Sequence, residues 1–129
     1  MPSLAARAVK AYARHIIKRD PTSPEHLVQH LRRALDNSPL PPWLPRGVTR
    51  TTFITAGVRG EWLRVNNPTQ AILYLHGGGF IAGKPATYLT LCGKFARALQ
   101  ADVYLPAYRL APEHPFPAAV DDALATYQL

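Results

Sequence analysis

Three scarcities narrow the reading before any motif is found. The 129 residues hold a single cysteine, Cys92, which excludes an intrachain disulfide framework and a cysteine-cluster zinc site and suits a reducing compartment. Apolar runs are short: stretches such as Ala71 to Leu75 fall far below the ~20 residues that a membrane-spanning helix needs, and no apolar leader core opens the sequence. Serine is scarce too, occurring only as Ser3, Ser23 and Ser38, all ahead of the region that reads as sheet. A soluble, cytoplasmic chain with no stable membrane insertion is expected. At 47% hydrophobic and 18% charged residues it is ordinary enough to build a packed core, although its 13 prolines are about twice the usual share.

Acidic residues are also few, and the formal charge is +7. The excess is local. Residues 1–50 carry nine Lys or Arg against Asp20, Glu25 and Asp36, whereas residues 51–129 carry six against five acids. A basic N-terminal segment followed by an electrostatically bland remainder gives no reason to expect nucleic acid as a partner.

Leu4, Ala5, Ala8, Val9, Tyr12 and Ile16 recur at helical spacing with Arg7, Lys10, Arg14 and Lys18 opposite them, which predicts an amphipathic helix ended by Asp20-Pro21. Thr22-Ser23-Pro24-Glu25 supplies a cap hydroxyl, a first-turn proline and a first-turn acid, predicting a second helix from about Pro24 to Leu35. The prolines between Pro39 and Pro45 then impose an extended connector. From Val48 the period shortens. Residues 48–55 and 61–65 predict an antiparallel hairpin closed by Gly57-Val58-Arg59-Gly60. Gln70 to His76 reads as a strand buried on both faces, 86–99 as a helix with Leu89, Cys92, Phe95, Ala96 and Leu99 inward, 102–108 as a strand and 117–128 as a helix. A hairpin followed by strand, helix, strand and helix predicts the α/β class, with parallel strands joined by crossover helices.

The chemistry centres on His76-Gly77-Gly78-Gly79-Phe80-Ile81-Ala82-Gly83-Lys84-Pro85, between a strand and a helix. Gly78 to Lys84 satisfies the phosphate-loop spacing G-x-x-x-x-G-K. Pro85, however, stands where such a loop needs a hydroxyl for magnesium and a backbone N–H for phosphate. Consecutive glycines serve a different need: they let backbone N–H groups face a developing negative charge with no side chain between, as an oxyanion hole requires.

Together with Tyr108-Arg109-Leu110-Ala111-Pro112-Glu113-His114-Pro115-Phe116-Pro117-Ala118-Ala119-Val120-Asp121-Asp122-Ala123 downstream, His76-Gly77-Gly78-Gly79-Phe80 closely resembles the hormone-sensitive-lipase-like branch of the α/β-hydrolases. That branch includes bacterial carboxylesterases and arylacetamide deacetylases. The resemblance runs from about Val48 to Leu129 and implies the N-terminal part of an α/β-hydrolase sheet. It divides the chain into a helical cap segment with its connector (1–45) and the start of the hydrolase core (46–129). It further implies an ester substrate, no cofactor and no metal, an oxyanion hole built on the N–H groups of Gly77 and Gly78, and Gly79 shaping the turn. His76 belongs to that turn rather than to a catalytic triad. Arg109, Glu113, Asp121 and Asp122 are expected to brace the following loop through ion pairs.

The departure from the family pattern is large. Such enzymes attack the ester with a serine on a G-x-S-x-G elbow, followed by an acid and a histidine, and none of the three serines here sits in such an elbow. No catalytic triad is expected in this chain. Cys92, on an apolar helical face, reads as an inert core thiol, and His26 and His30, four apart, lack an evident third metal ligand. The expectation is a truncated or split hydrolase, inactive alone. A non-catalytic alternative stands beside it, since plant gibberellin receptors resemble this family yet bind a carboxylate without hydrolysing it. The family strand order would also leave the outer edge of the 70–76 strand open to self-association.

Overall fold

A computed structural model describes residues 3, 6, 7, 10, 11, 23–37 and 41–128. The amphipathic helix expected near residues 4–16 lies largely outside the described residues. Helix α1 spans Pro24–Asp36, with the Ser23 hydroxyl accepting the His26 N–H at 3.3 Å and Glu25 in the first turn. Capping, proline and acid thus act together at the positive end of the helix, as the sequence pattern requires.

Strands β1 (Thr49–Thr55) and β2 (Val58–Arg64) form the hairpin, but two residues tighter than expected. Thr55 pairs with Val58, so the turn is Ala56-Gly57, with φ of +46° and +80°. Two consecutive left-handed residues match the right-handed twist of the flanking strands. Gly60 therefore lies inside β2, opposite Phe53, where a β-carbon would come within 2.5 Å of the Phe53 ring and 2.6 Å of the Leu105 carbonyl oxygen. It is a packing glycine, not a turn glycine.

Beyond the hairpin come β3 (Gln70–Leu73), α2 (Pro85–Leu99), β4 (Ala101–Pro106) and α3 (Ala118–Tyr127). The sheet order is β1-β2-β4-β3, with β3 and β4 parallel and the other neighbours antiparallel. This mixed sheet with a helical crossover is the expected α/β architecture. Leu63, Val103 and Leu105 from the sheet meet Leu89, Cys92 and Ala96 from α2 in the core. Gly93 lets the connector lie against α2, since a β-carbon there would sit 2.8 Å from Leu44 and 3.0 Å from Pro45.

Two burial expectations need correction. β3 is not buried on both faces: Gln70 and Ala71 are exposed and Ile72 and Leu73 half-buried. It lies at the sheet edge, and its last ladder bond, from the Tyr74 N–H to the Tyr104 carbonyl at 2.8 Å, comes before His76. On α2, Phe95 and Leu99 are 37% and 48% exposed rather than core. The strand expected over 102–108 ends at Pro106. Its Asp102 is buried yet satisfied, accepting the Trp62 indole N–H and the Val65 N–H, both at 3.1 Å.

Candidate active site

The chain leaves β3 and reaches α2 through the glycine turn, whose backbone requires glycine at Gly78 and Gly83. Gly78, Gly79 and Gly83 have φ of +138°, +62° and +99°. A β-carbon on Gly78 would lie 1.8 Å from the Ala82 carbonyl oxygen, and one on Gly83 would lie 2.5 Å from that of Gly77 and 2.6 Å from His76 Nδ1. The turn is closed by the Gly78 carbonyl, which accepts the N–H groups of Ile81 (3.2 Å) and Ala82 (3.1 Å). Among the described residues, no hydrogen bond of the turn is donated by the N–H of Gly77 or of Gly78. Both donors are thus left over by the structure that creates them, which is the arrangement an anion-stabilising site needs. Phe80 follows at φ +62°, a strained conformation for an aromatic residue, and exposes its ring.

His76 is a buried part of this scaffold. Its ring stacks on Tyr108 at 4.3 Å and on Tyr88 at 5.9 Å, and Nδ1 lies 3.0 Å from the Gly77 carbonyl oxygen. The Tyr108 hydroxyl donates to the His76 carbonyl at 2.5 Å. Burial pushes the His76 imidazole below its ordinary value and the Tyr108 hydroxyl up to about 12, so both stay neutral near pH 7 and lock the start of the turn.

The loop after β4 runs alongside. The Ala111 N–H donates to the Phe80 carbonyl at 2.8 Å, joining the loop directly to the turn. Asp122 in α3 accepts from the Arg109 backbone N–H (2.8 Å), Nε (3.1 Å) and Nη2 (2.8 Å). The neighbouring Asp121 is exposed. Glu113 does not pair with Arg109. It takes a two-pronged contact from Arg32 of α1, at 2.7 and 2.6 Å. Arg32 also donates to the carbonyls of Ile81 (2.8 Å) and Ala111 (3.0 Å), while Asp36 accepts the Gly83 N–H at 2.9 Å. Neither Arg32 nor Asp36 was anticipated as a site residue. Their only local signal is the i, i+4 spacing that puts them on one helix face.

Beside the turn lies an apolar cavity of about 500 Å³, bounded by Leu73, Leu75, Phe80, Val120, Leu124 and Tyr127, with His76 and Tyr108 at its wall. Cys92 is elsewhere, sealed in the core with its thiol pushed up to about 12 by burial. A thiol reagent such as a disulfide chromophore at pH 8 is expected to modify it only through opening of the protein, at a rate that levels off at the opening rate as reagent concentration rises. Rapid stoichiometric reaction under native conditions would contradict that placement. Among the described residues no group of three or more His, Cys, Asp or Glu could hold a metal ion, and no helix is long and apolar enough to cross a membrane.

Comparison with known proteins agrees with the fold. A family model described as the α/β hydrolase fold matches residues 72–129. An acetyl-hydrolase of Streptomyces hygroscopicus is 39% identical over 85 residues, covering 64% of this chain and 28% of that protein. An esterase of Acinetobacter venetianus is 42% identical over 74 residues, covering 57% and 24%. Among solved structures, an esterase from the bacterial hormone-sensitive lipase family superposes with a TM-score of 0.76 at 29% identity, over 99% of this chain and 42% of its own. A hormone-sensitive lipase from a metagenome library gives 0.72 at 31% identity, over 95% and 40%. The chain thus spans about a quarter of the length of those sequence relatives and about two fifths of the solved structures. In sequence and in fold it is the counterpart of the N-terminal portion of hormone-sensitive-lipase-like α/β-hydrolases.

Proposed function

We propose that this chain supplies the oxyanion-stabilising part of a carboxylic ester hydrolase site, with the N–H groups of Gly77 and Gly78 as the donors. The observation that carries the proposal is the glycine turn: it is held by the Gly78 carbonyl, the Arg32 and Asp36 contacts and the His76 stack, none of which uses those two N–H groups. When a nucleophile adds to an ester carbonyl, the C–O π electron pair moves onto oxygen, and the charge appears where preorganised donors can meet it. Such a donor contributes about 3 kcal/mol to the transition state. The adjoining cavity is apolar, which suits an acyl or alcohol chain. The serines of these 129 residues are Ser3, Ser23 and Ser38, none within G-x-S-x-G, so the attacking group is assigned to none of them. The chain alone is expected to hydrolyse a short-chain aryl ester at the background rate.

The test is titration of the isotopically labelled chain with methyl butylphosphonate, a tetrahedral anion that mimics the addition intermediate, followed by amide NMR. Saturable shifts centred on Gly77 and Gly78 are expected. Shifts confined to the basic surface residues, or none at all, would sink the proposal.

A further inference from the structure

Helix α1 touches the glycine turn through side chains from across the chain, and every such contact falls on backbone. Arg32 Nε donates to Ile81 and Nη2 to Ala111, one carbonyl on each side of the Phe80–Ala111 bridge, while Glu113 holds the same guanidinium from the far side. One helical turn later, Asp36 accepts the N–H of Gly83, the residue at which the turn closes on Gly77 and His76. The Thr87 hydroxyl of α2 adds a bond to the Leu35 carbonyl at 3.1 Å. A planar guanidinium serving two carbonyls and a carboxylate at once has one orientation that satisfies all of them, which makes this contact geometrically demanding.

We infer that Arg32 and Asp36 are positioning residues which tie α1 to the glycine turn, so that the alignment of the Gly77 and Gly78 donors depends on where α1 lies. This rests on the oxyanion reading of the turn for its catalytic meaning, though the mechanical coupling does not. Arg32 fixes the outer limb of the turn at Ile81, and Asp36 fixes its closing limb at Gly83. Gly78 hangs between them, connected to the outer limb by its carbonyl bonds to Ile81 and Ala82. Withdrawing α1 frees both limbs, and the donors lose their common direction. The position of α1 thereby also sets the geometry of the site.

Hydrogen exchange and amide shifts of the labelled full chain test this without any ligand. Asp36→Ala is expected to accelerate exchange at Gly83 by about tenfold to a hundredfold, the loss of one charge-assisted hydrogen bond, and to shift Gly78. Asp36→Asn, whose amide oxygen still accepts, should restore most of the protection. Arg32→Ala should shift the Ile81 and Gly78 amides, and Arg32→Lys, which cannot serve three acceptors, should not rescue them. Arg50→Ala, which removes the distant ion pair with Glu61, controls for general loss of stability. Unchanged Gly78 and Gly83 amides in Asp36→Ala, or changes equal to those in Arg50→Ala, would overturn the inference. In the phosphonate titration, Asp36→Ala and Arg32→Ala should bind several-fold more weakly. If the unaltered chain does not bind phosphonate, the oxyanion reading fails, and the exchange results still decide whether α1 controls the turn.

Discussion

Replacing Gly78 with alanine is expected to destabilise the chain by about 3 kcal/mol or more and to abolish the phosphonate-induced shifts at Gly77 and at residue 78. Two costs combine. An L-residue at φ +138° is strained by about 1–3 kcal/mol wherever it has room, and here it has none, because its β-carbon would lie 1.8 Å from the Ala82 carbonyl oxygen. The obstacle is backbone, so it cannot rotate away like a side chain. Relief requires opening the turn, which breaks the two bonds accepted by the Gly78 carbonyl, each contributing about 1 kcal/mol. Neighbouring substitutions form a graded control. Gly79→Ala takes the left-handed strain at φ +62° with only an ordinary 4.0 Å contact to the Ile81 side chain, for a loss of about 1 kcal/mol. Gly77→Ala has its nearest contact at 3.7 Å, to the Tyr88 hydroxyl, and should stay within about 0.5 kcal/mol while keeping its N–H. Urea denaturation of the three variants measures the order. Equal stabilities across the series would show that the turn does not have the geometry described.

The glycine run was legible because its signal is local: successive residues without β-carbons, between a strand and a helix, state a backbone requirement directly. Helix α1 was legible for the same reason, its cap, proline and acid all lying within four residues. What escaped depends on contacts far along the chain. Gly60 resembles a turn residue in sequence and is a packing residue in space, because its partner Phe53 lies across the hairpin and Leu105 on the next strand. The apolar run starting at Ala71 reads as buried on both faces, yet it is at most half-buried, because among the described strands it pairs with β4 alone and keeps the open edge that the family strand order implied. Asp121 and Asp122 are indistinguishable in composition, but a single residue rotates the direction of a helical side chain by ~100°, and only Asp122 meets Arg109. Arg32 and Asp36 reach their partners across 49 and 47 positions, a distance over which no periodicity or cap motif carries information.

Acid is expected to weaken the chain in a defined window, and the Asp122→Ala variant should lose part of that sensitivity. The Arg109 guanidinium and backbone N–H hold the Asp122 carboxyl below the ordinary carboxylate range, and Arg32 holds Glu113 down to about 2. For a carboxyl whose folded value is depressed, the unfolded chain binds more protons between the two values, so stability is full above the ordinary value near 4 and drains away as pH falls toward 2. The two contributions differ in weight. Glu113 is exposed and its pair is softened by water, whereas Asp122 is buried and accepts three donors from Arg109. Its replacement by alanine leaves the Arg109 N–H and guanidinium without their acceptor and should cost about 2–3 kcal/mol at pH 7. The consequence is local as well as global, because Arg109–Asp122 fastens α3 to the exit of β4, and α3 supplies Val120, Leu124 and Tyr127 to the cavity beside the turn. Urea denaturation of both proteins at pH 7 and pH 2.5 decides the matter: the gap between them should narrow in acid, because the unfolded chain takes up the proton that folded Asp122 resists, and a gap of the same size at both values would show that the charge on Asp122 contributes nothing to holding α3 in place.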